Sequence, residues 1–180
     1  MITIIASTNR KNSDTSRFAD HYADLLRQHS SEEVQLLKLE EIPHDWFHPD
    51  MYSAQKQTPS LAKLQDQYVL GANKFVFIIP EYNGSFPGSL KLFLDACSIR
   101  QYKESFKWKK AALVGVASGR AGNLRGMDHF ADVLNHVGSV VLPNKLPISK
   151  IGELINADGE INDEGTNKAL KGQIAEFLEF

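Results

Sequence analysis

The stretch FVFIIPEYNGSFPGSLKLFLDAC, residues 75–97, decides the fold. Its first five residues are continuously apolar and rich in β-branched and aromatic side chains. That pattern belongs to a strand covered on both faces, as in a parallel sheet, rather than to a strand with one wet face. Pro80 ends the run, and Asn83-Gly84 brings residues that accept positive φ. Leu90, Leu92, Phe93, Leu94, Ala96 and Cys97 then predict a helix from about Gly88 to Ile99, apolar nearly all round and so in need of two buried faces.

The same alternation extends outward in both directions. ITIIA (2–6), AALVGVA (111–117) and SVVL (139–142) read as buried strands, and VQLLKL (34–39) as a less uniform fifth. Phe18, Tyr22, Leu25 and Leu26 share one face of a helix running to about His29. Thr58-Pro59 pairs an N-cap hydroxyl with proline at the first helical position, ahead of Leu61, Leu64, Tyr68 and Val69. Met127, Phe130, Ala131, Leu134 and Val137 mark a further helix, and a last one spans about Thr166 to Phe180. The irregular stretches 42–59 and 149–165 read as surface connections.

Parallel strands need crossovers, which are almost always right-handed, so this alternation predicts one doubly wound α/β domain over residues 1–180, with helices on both faces. Five strands suggest the order 2-1-3-4-5, and ligands in such sheets bind outside the carboxyl ends of the strands, where the order reverses.

Composition narrows the partners. Twenty basic residues against 22 acidic ones give a formal charge of -2, which supplies no broad positive field for nucleic acid or anionic membrane. The single cysteine, Cys97, excludes an intrachain disulfide, and the start MITIIASTNRKN lacks the basic and apolar regions of a signal peptide, so a cytoplasmic setting is expected. No apolar run approaches the roughly 18 residues of a membrane helix.

Three strand-end loops carry the candidate chemistry. ASTNRKNSDTS (6–16) gathers the hydroxyls of Ser7, Thr8, Ser13, Thr15 and Ser16 around Arg10 just before a helix. Unpaired N–H groups, the positive end of the helix dipole and a guanidinium suit a phosphate dianion there, and an ordinary polar N-cap would look the same. With no GxxxxGK[ST] and no GxGxxG, a mononucleotide phosphate is the remaining reading. In PEYNGSFPGSLKLFLD (80–95), Tyr82 offers an aromatic face and Asn83-Gly84 a close backbone approach to a flat ligand, although a β-turn ahead of Pro87 satisfies the same spacing. SGRAGNLRG (118–126) places three glycines and two arginines in the third loop, where the glycines free backbone amides to meet a ligand, although a flexible connection with a solvated arginine would look the same.

Together these residues make the chain resemble the flavodoxin-like NAD(P)H-dependent FMN reductases, a family that includes azo, quinone and chromate reductases. The family's phosphate loop G-S-x-R-x-x-S-x-[N/T] is matched at Ser7, Arg10, Ser13 and Thr15, with Ala6 in place of the glycine and one extra residue before Arg10. P-E-Y-N-x-x-x-P-x-x-L-K-N-x-x-D is matched at Pro80, Glu81, Tyr82, Asn83, Pro87, Leu90, Lys91 and Asp95, with Leu92 where asparagine is usual. The resemblance implies bound FMN: phosphate at Ser7, Arg10, Ser13 and Thr15, ring contacts from Tyr82, Asn83 and Gly84 with Pro80 and Glu81 also in the cofactor-binding set, and the ring's other edge lined by Ser118, Gly119, Arg120 and Gly122. It also implies that the helix from 88 to 99 packs in the interface of a homodimer or homotetramer.

Other constellations carry less. His44 and His48 are spaced as helical ligands, but Pro43 and Pro49 leave room for about one turn, so no metal site is expected. Ser60-Leu61-Ala62-Lys63 matches S-x-x-K without its companion motifs, and Cys97 lies in an apolar helix that disfavours a thiolate. No catalytic side chain is assigned, because a flavin carries the chemistry itself. The expected activity is hydride transfer from NADPH or NADH through FMN to a small acceptor, either a quinone, an azo compound, free flavin or a metal oxyanion. The rival is a flavodoxin-type electron carrier with a protein redox partner; a flavin-free binding protein on the same fold is a third reading.

Overall fold

The computed structural model describes residues 1–180. Strands β1 (Ile2–Ala6), β2 (Val34–Lys38), β3 (Lys74–Pro80), β4 (Lys110–Val116) and β5 (Val140–Val141) lie in the order β2-β1-β3-β4-β5, all parallel, and β6 (Leu146–Ile148) also pairs with β4. The helices are α1 (Asp14–His29), α2 (Pro59–Leu64), α3 (Gly88–Cys97), α4 (Tyr102–Phe106), α5 (Leu124–His136) and α6 (Glu164–Glu179). The strand order reverses at β1 and β3, which places the switch point between their loops.

The predicted fifth strand, 139–142, is present as the shorter β5, and a sixth strand that the sequence did not announce follows it. Val140 and Val141 pair with Lys110 and Ala111, and Leu142 N–H still donates to the Ala111 carbonyl. Pro143 has no N–H to continue the ladder, the chain turns through Pro143–Lys145, and β6 resumes opposite Val114–Val116. The split matters for the site, because β6 delivers the segment after Ile148 to the strand ends.

Each face of the sheet buries its own cluster. On one, Phe18, Tyr22 and Leu26 of α1 meet Ile174 and Phe177 of α6 over Ile4, Ile78 and Val114. On the other, Leu61, Leu90, Phe93, Met127 and Phe130 cover Phe75, Phe77 and Ile79. Side chains of this size contribute about 1.5–3 kcal/mol each when fully buried. Tyr22 donates its hydroxyl to Gln173, whose amide donates to the carbonyls of Leu113 and Asn144, so the polar tip of a buried ring ties α1 and α6 to β4.

Smaller differences have local causes. Thr58 precedes α2 in extended conformation, but its hydroxyl meets Ser60 rather than capping the helix, and α2 runs on as a wider π turn, Gln65–Leu70. Helix α3 stops at Cys97, and it is not buried on two full sides within the chain, since Lys91, Leu92 and Asp95 are only half-buried. The 42–59 segment is more than a connection: Ile42, Trp46 and Met51 are buried in the core.

A cleft at the strand ends

The loops after β1, β3 and β4 meet in one cleft of about 320 Å³, lined by Arg10 to Thr15, Pro80 to Tyr82 and Val116 to Ser118. Ile151 and Gly152, from the segment that follows β6, close its remaining side.

At one end stands the start of α1. Ser13 is its N-cap, accepting the Ser16 N–H at 3.2 Å, and the N–H groups of Asp14 and Thr15 have no acceptor within the chain. A 16-residue helix presents the positive end of its dipole here. Arg10 is exposed and makes no ion pair, so its guanidinium is free for an anion. Two donors of this loop are engaged elsewhere: the Asn12 N–H donates to Glu40 at 2.7 Å and the Ser16 hydroxyl donates to the same carboxylate. Glu40, just beyond β2, thus braces the loop from the side of a second, more open cleft where Ser16, Arg17 and Lys38 lie.

At the other end stands the turn that interrupts the opening stretch. Tyr82 and Ser85 exchange N–H···O bonds of 2.9 and 3.1 Å around Asn83 (φ 52°) and Gly84 (φ 75°). Two successive positive φ values make this a type I′ turn, for which Asn-Gly is the preferred pair. The Tyr82 hydroxyl meets that of Thr8 at 2.6 Å, and Thr8 also accepts the Arg10 N–H at 3.1 Å, so the aromatic loop is pinned to the α1 loop. Phe86 packs on Phe130 with ring centroids 5.2 Å apart, and Ser85 bonds His129 at 3.0 Å, which seats the turn on α5.

Of the residues singled out from sequence, Arg10, Ser13, Thr15, Pro80, Glu81, Tyr82 and Ser118 line the cleft together. Asn83 and Gly84 form the turn beside it, and Gly119 and Arg120 are exposed on the neighbouring loop, where their carbonyls accept from Lys150 N–H and the Ser149 hydroxyl. Ser7 and Gly122 stand apart. Ser7 is wholly buried and donates back to the Ile5 carbonyl at 3.2 Å, while Gly122 packs so tightly under β6 that an added Cβ would lie 2.8 Å from Ile148 N.

Sequence reading missed Glu40, Asn123 and the pair Ile151-Gly152. Asn123 is fully buried and bonds the carbonyls of Ile79 and Pro80, each at 3.0 Å, from 44 and 43 residues away. No local pattern announces such a contact. The signal available for Ile151-Gly152 was LPIS, a short strand-like run carrying the chain back to the strand ends.

The chain is similar to several known proteins. A 2-hydroxy-1,4-benzoquinone reductase of a Burkholderia species is 30% identical over 115 residues, covering 63% of this chain and 62% of its own. An NAD(P)H-dependent FMN reductase of Pseudomonas aeruginosa is 28% identical over 144 residues, 78% of this chain and 74% of its own. The chain thus spans between about three fifths and three quarters of these relatives' length. Among solved structures, FerB, a flavoenzyme NAD(P)H:(acceptor) oxidoreductase from Paracoccus denitrificans, superposes with a TM-score of 0.76 at 25% identity, covering 99% of this chain and 94% of that one. Oxidised flavodoxin 1 from Bacillus cereus shares the fold, with a TM-score of 0.58 at 20% identity over 99% and 96% of the two chains. The family described as NADPH-dependent FMN reductase is matched along residues 1–153, and the chain belongs to it.

Proposed function

We propose that this chain is an NAD(P)H-dependent FMN oxidoreductase that takes a hydride from NADPH or NADH and reduces a small acceptor, a quinone being the class its relatives' names favour. The observation that carries the reading is the convergence of three strand-end loops on one cleft, with a helix start and a free arginine at one end and an aromatic side chain beside a type I′ turn at the other.

The residues present suit FMN in kind. A cleft of about 320 Å³ is within the usual range of ligand sites, and its two ends differ as the two ends of FMN do. Arg10, Thr15 and the first-turn N–H groups of α1 would hold the phosphate, with Ser13 fixing the turn that presents them. Pro80, Glu81 and Tyr82, with the Asn83-Gly84 turn, would meet the ring, and Ser118 with Gly119 and Arg120 would border its far edge. Bound FMN supplies the capacity to accept a hydride and to release electrons in one or two steps. The chain's own work is to bind, to orient and to keep water from the ring. Pro80, Val116 and Ala117 give the cleft an apolar floor, and the Thr8–Tyr82 bond holds the aromatic loop at a fixed distance from the phosphate end.

The proposal extends to a homodimer in a cytoplasmic setting. Leu92, half-buried on α3, and Phe47, 70% exposed, line one apolar hollow on the outside of the fold, a surface suited to a second copy. No helix is long and apolar enough to cross a membrane.

Titration with FMN, followed by addition of NADPH or NADH under anaerobic conditions, tests the reading. Quenching of flavin fluorescence on binding and bleaching of the visible band on reduction are expected. A chain that binds FMN but oxidises neither nucleotide would instead be an electron carrier of flavodoxin type.

A further inference from the structure

We infer that Asn123 is a positioning residue that clamps the β4 loop to the end of β3, at the root of the Tyr82–Ser85 turn, and so fixes the width of the cleft, an inference that rests on the flavin reading for its functional consequence. The last rung between the two strands is the Glu81 N–H on the Val116 carbonyl. Beyond it, the backbone of the β4 loop turns toward the β6 side: Ala117 donates to Ile148, while Lys150 and Ile151 donate to Gly119 and Ala117. No backbone hydrogen bond returns from residues 117–126 to residues 81–87.

Asn123 supplies the tie instead, at the root of the β3 loop. Its amide donates to both Ile79 and Pro80 carbonyls at 3.0 Å, immediately before the Tyr82–Ser85 turn. The surroundings are shaped around it. Its backbone is left-handed (φ 60°, ψ 28°), a conformation asparagine tolerates better than most residues. Its side chain is not used to cap α5, although it stands at the N-cap position, and its Oδ1 is buried without a partner. Gly126 leaves room for it, since a Cβ there would lie 2.1 Å from Oδ1 and 2.7 Å from the Ser85 carbonyl carbon. A residue that forgoes its cap and leaves an acceptor unpaired is held in place by its two donor bonds, and those bonds hold the β4 loop to the strand end from which the Tyr82–Ser85 turn springs.

Asn123→Asp keeps the size and the tolerance of positive φ but turns an oxygen toward the two carbonyls; Asn123→Gly keeps the backbone and removes the clamp. Hydrogen exchange without flavin is the first measurement. The amides of Tyr82 and Ser85 should exchange at least tenfold faster in either variant, while those of Asn12 to Ser16 stay as in the parent. FMN affinity is the second and should fall about tenfold, which is 1.4 kcal/mol, with a changed visible spectrum for the flavin that does bind. Unchanged exchange at Tyr82 and Ser85 would overturn the clamp, and faster exchange with unchanged affinity and spectrum would overturn its role in the site. If the parent chain binds no FMN, the flavin reading fails, and the exchange result alone decides the clamp. Should Asn123→Asp not fold, Asn123→Gly carries both measurements.

Discussion

Gly126→Ala sets helix propensity against packing, and the two predict opposite signs. Gly126 is the third residue of α5, where alanine in place of glycine normally favours the helix by up to about 1 kcal/mol. The added methyl, however, would lie 2.1 Å from Asn123 Oδ1 and 2.7 Å from the carbonyl carbon of Ser85. Asn123 is fully buried and held by two hydrogen bonds, and Ser85 is backbone closing a tight turn, so neither neighbour can swing away as a flexible side chain would. Overpacking of this kind costs about 1–3 kcal/mol, and separation of Asn123 from its carbonyls adds on the order of 1 kcal/mol for each bond weakened. Packing therefore wins, for a net loss of about 1–4 kcal/mol by these values. In urea unfolding the midpoint should fall with an unchanged slope, because the same surface is exposed. At this chain length about 2–4 °C of Tm is lost per kcal/mol. FMN affinity should drop with stability, since the displaced atoms belong to both ring-side loops. A variant as stable as the parent, or more so, would refute the close packing of α5 on the Tyr82–Ser85 turn.

Arg10→Ala should weaken FMN binding about 10- to 100-fold, the loss of a charge-assisted contact of about 1.5–3 kcal/mol, while leaving riboflavin, which has no phosphate, nearly unaffected. Equal losses for both ligands would remove Arg10 from the phosphate site. Tyr82→Phe deletes the 2.6 Å bond to Thr8 and should cost about 1 kcal/mol in chemical denaturation, since Thr8 keeps the Arg10 N–H as a partner. No loss would mean that the bond does not tie the two loops. Burial pushes the Cys97 thiol well above its ordinary range, outweighing the pull of Arg100 in the other direction. The folded state therefore holds this proton after the unfolded chain has released it, so the contribution is intact below about pH 8.5 and declines above it by at most about 1.4 kcal/mol per pH unit. Stability measured from pH 8 to 10 should fall less steeply in Cys97→Ala than in the parent; parallel slopes would contradict the burial argument.

The architecture was legible because its three central strands, β1, β3 and β4, are buried on both faces. Runs such as FVFII and AALVGVA are continuous enough to separate from the spaced apolar positions of α1 and α5, and the strand order follows from crossover rules rather than from any single residue. The fifth strand was found within 139–142, but β6 beyond Pro143 was missed because three residues carry too little pattern, and α4, five residues long, carries hardly more. At the site, the loops were found by their place at strand ends and by the residues of two motifs. Side-chain direction was not legible: Ser7 fits the motif yet turns inward to Ile5, and Gly122 serves packing under β6. Glu40 and Asn123 act on segments 24 to 44 residues away, a separation at which hydropathy and turn chemistry carry no information.

The most direct measurement of the central claim is an anaerobic titration of the purified chain, loaded with one equivalent of FMN, by NADPH or NADH while flavin absorbance is followed. Saturable FMN binding and loss of the visible band at one reduced nucleotide per flavin are expected, with the colour restored by a quinone. A chain that fails to bind FMN, or binds it and is bleached by neither nucleotide, would contradict that claim.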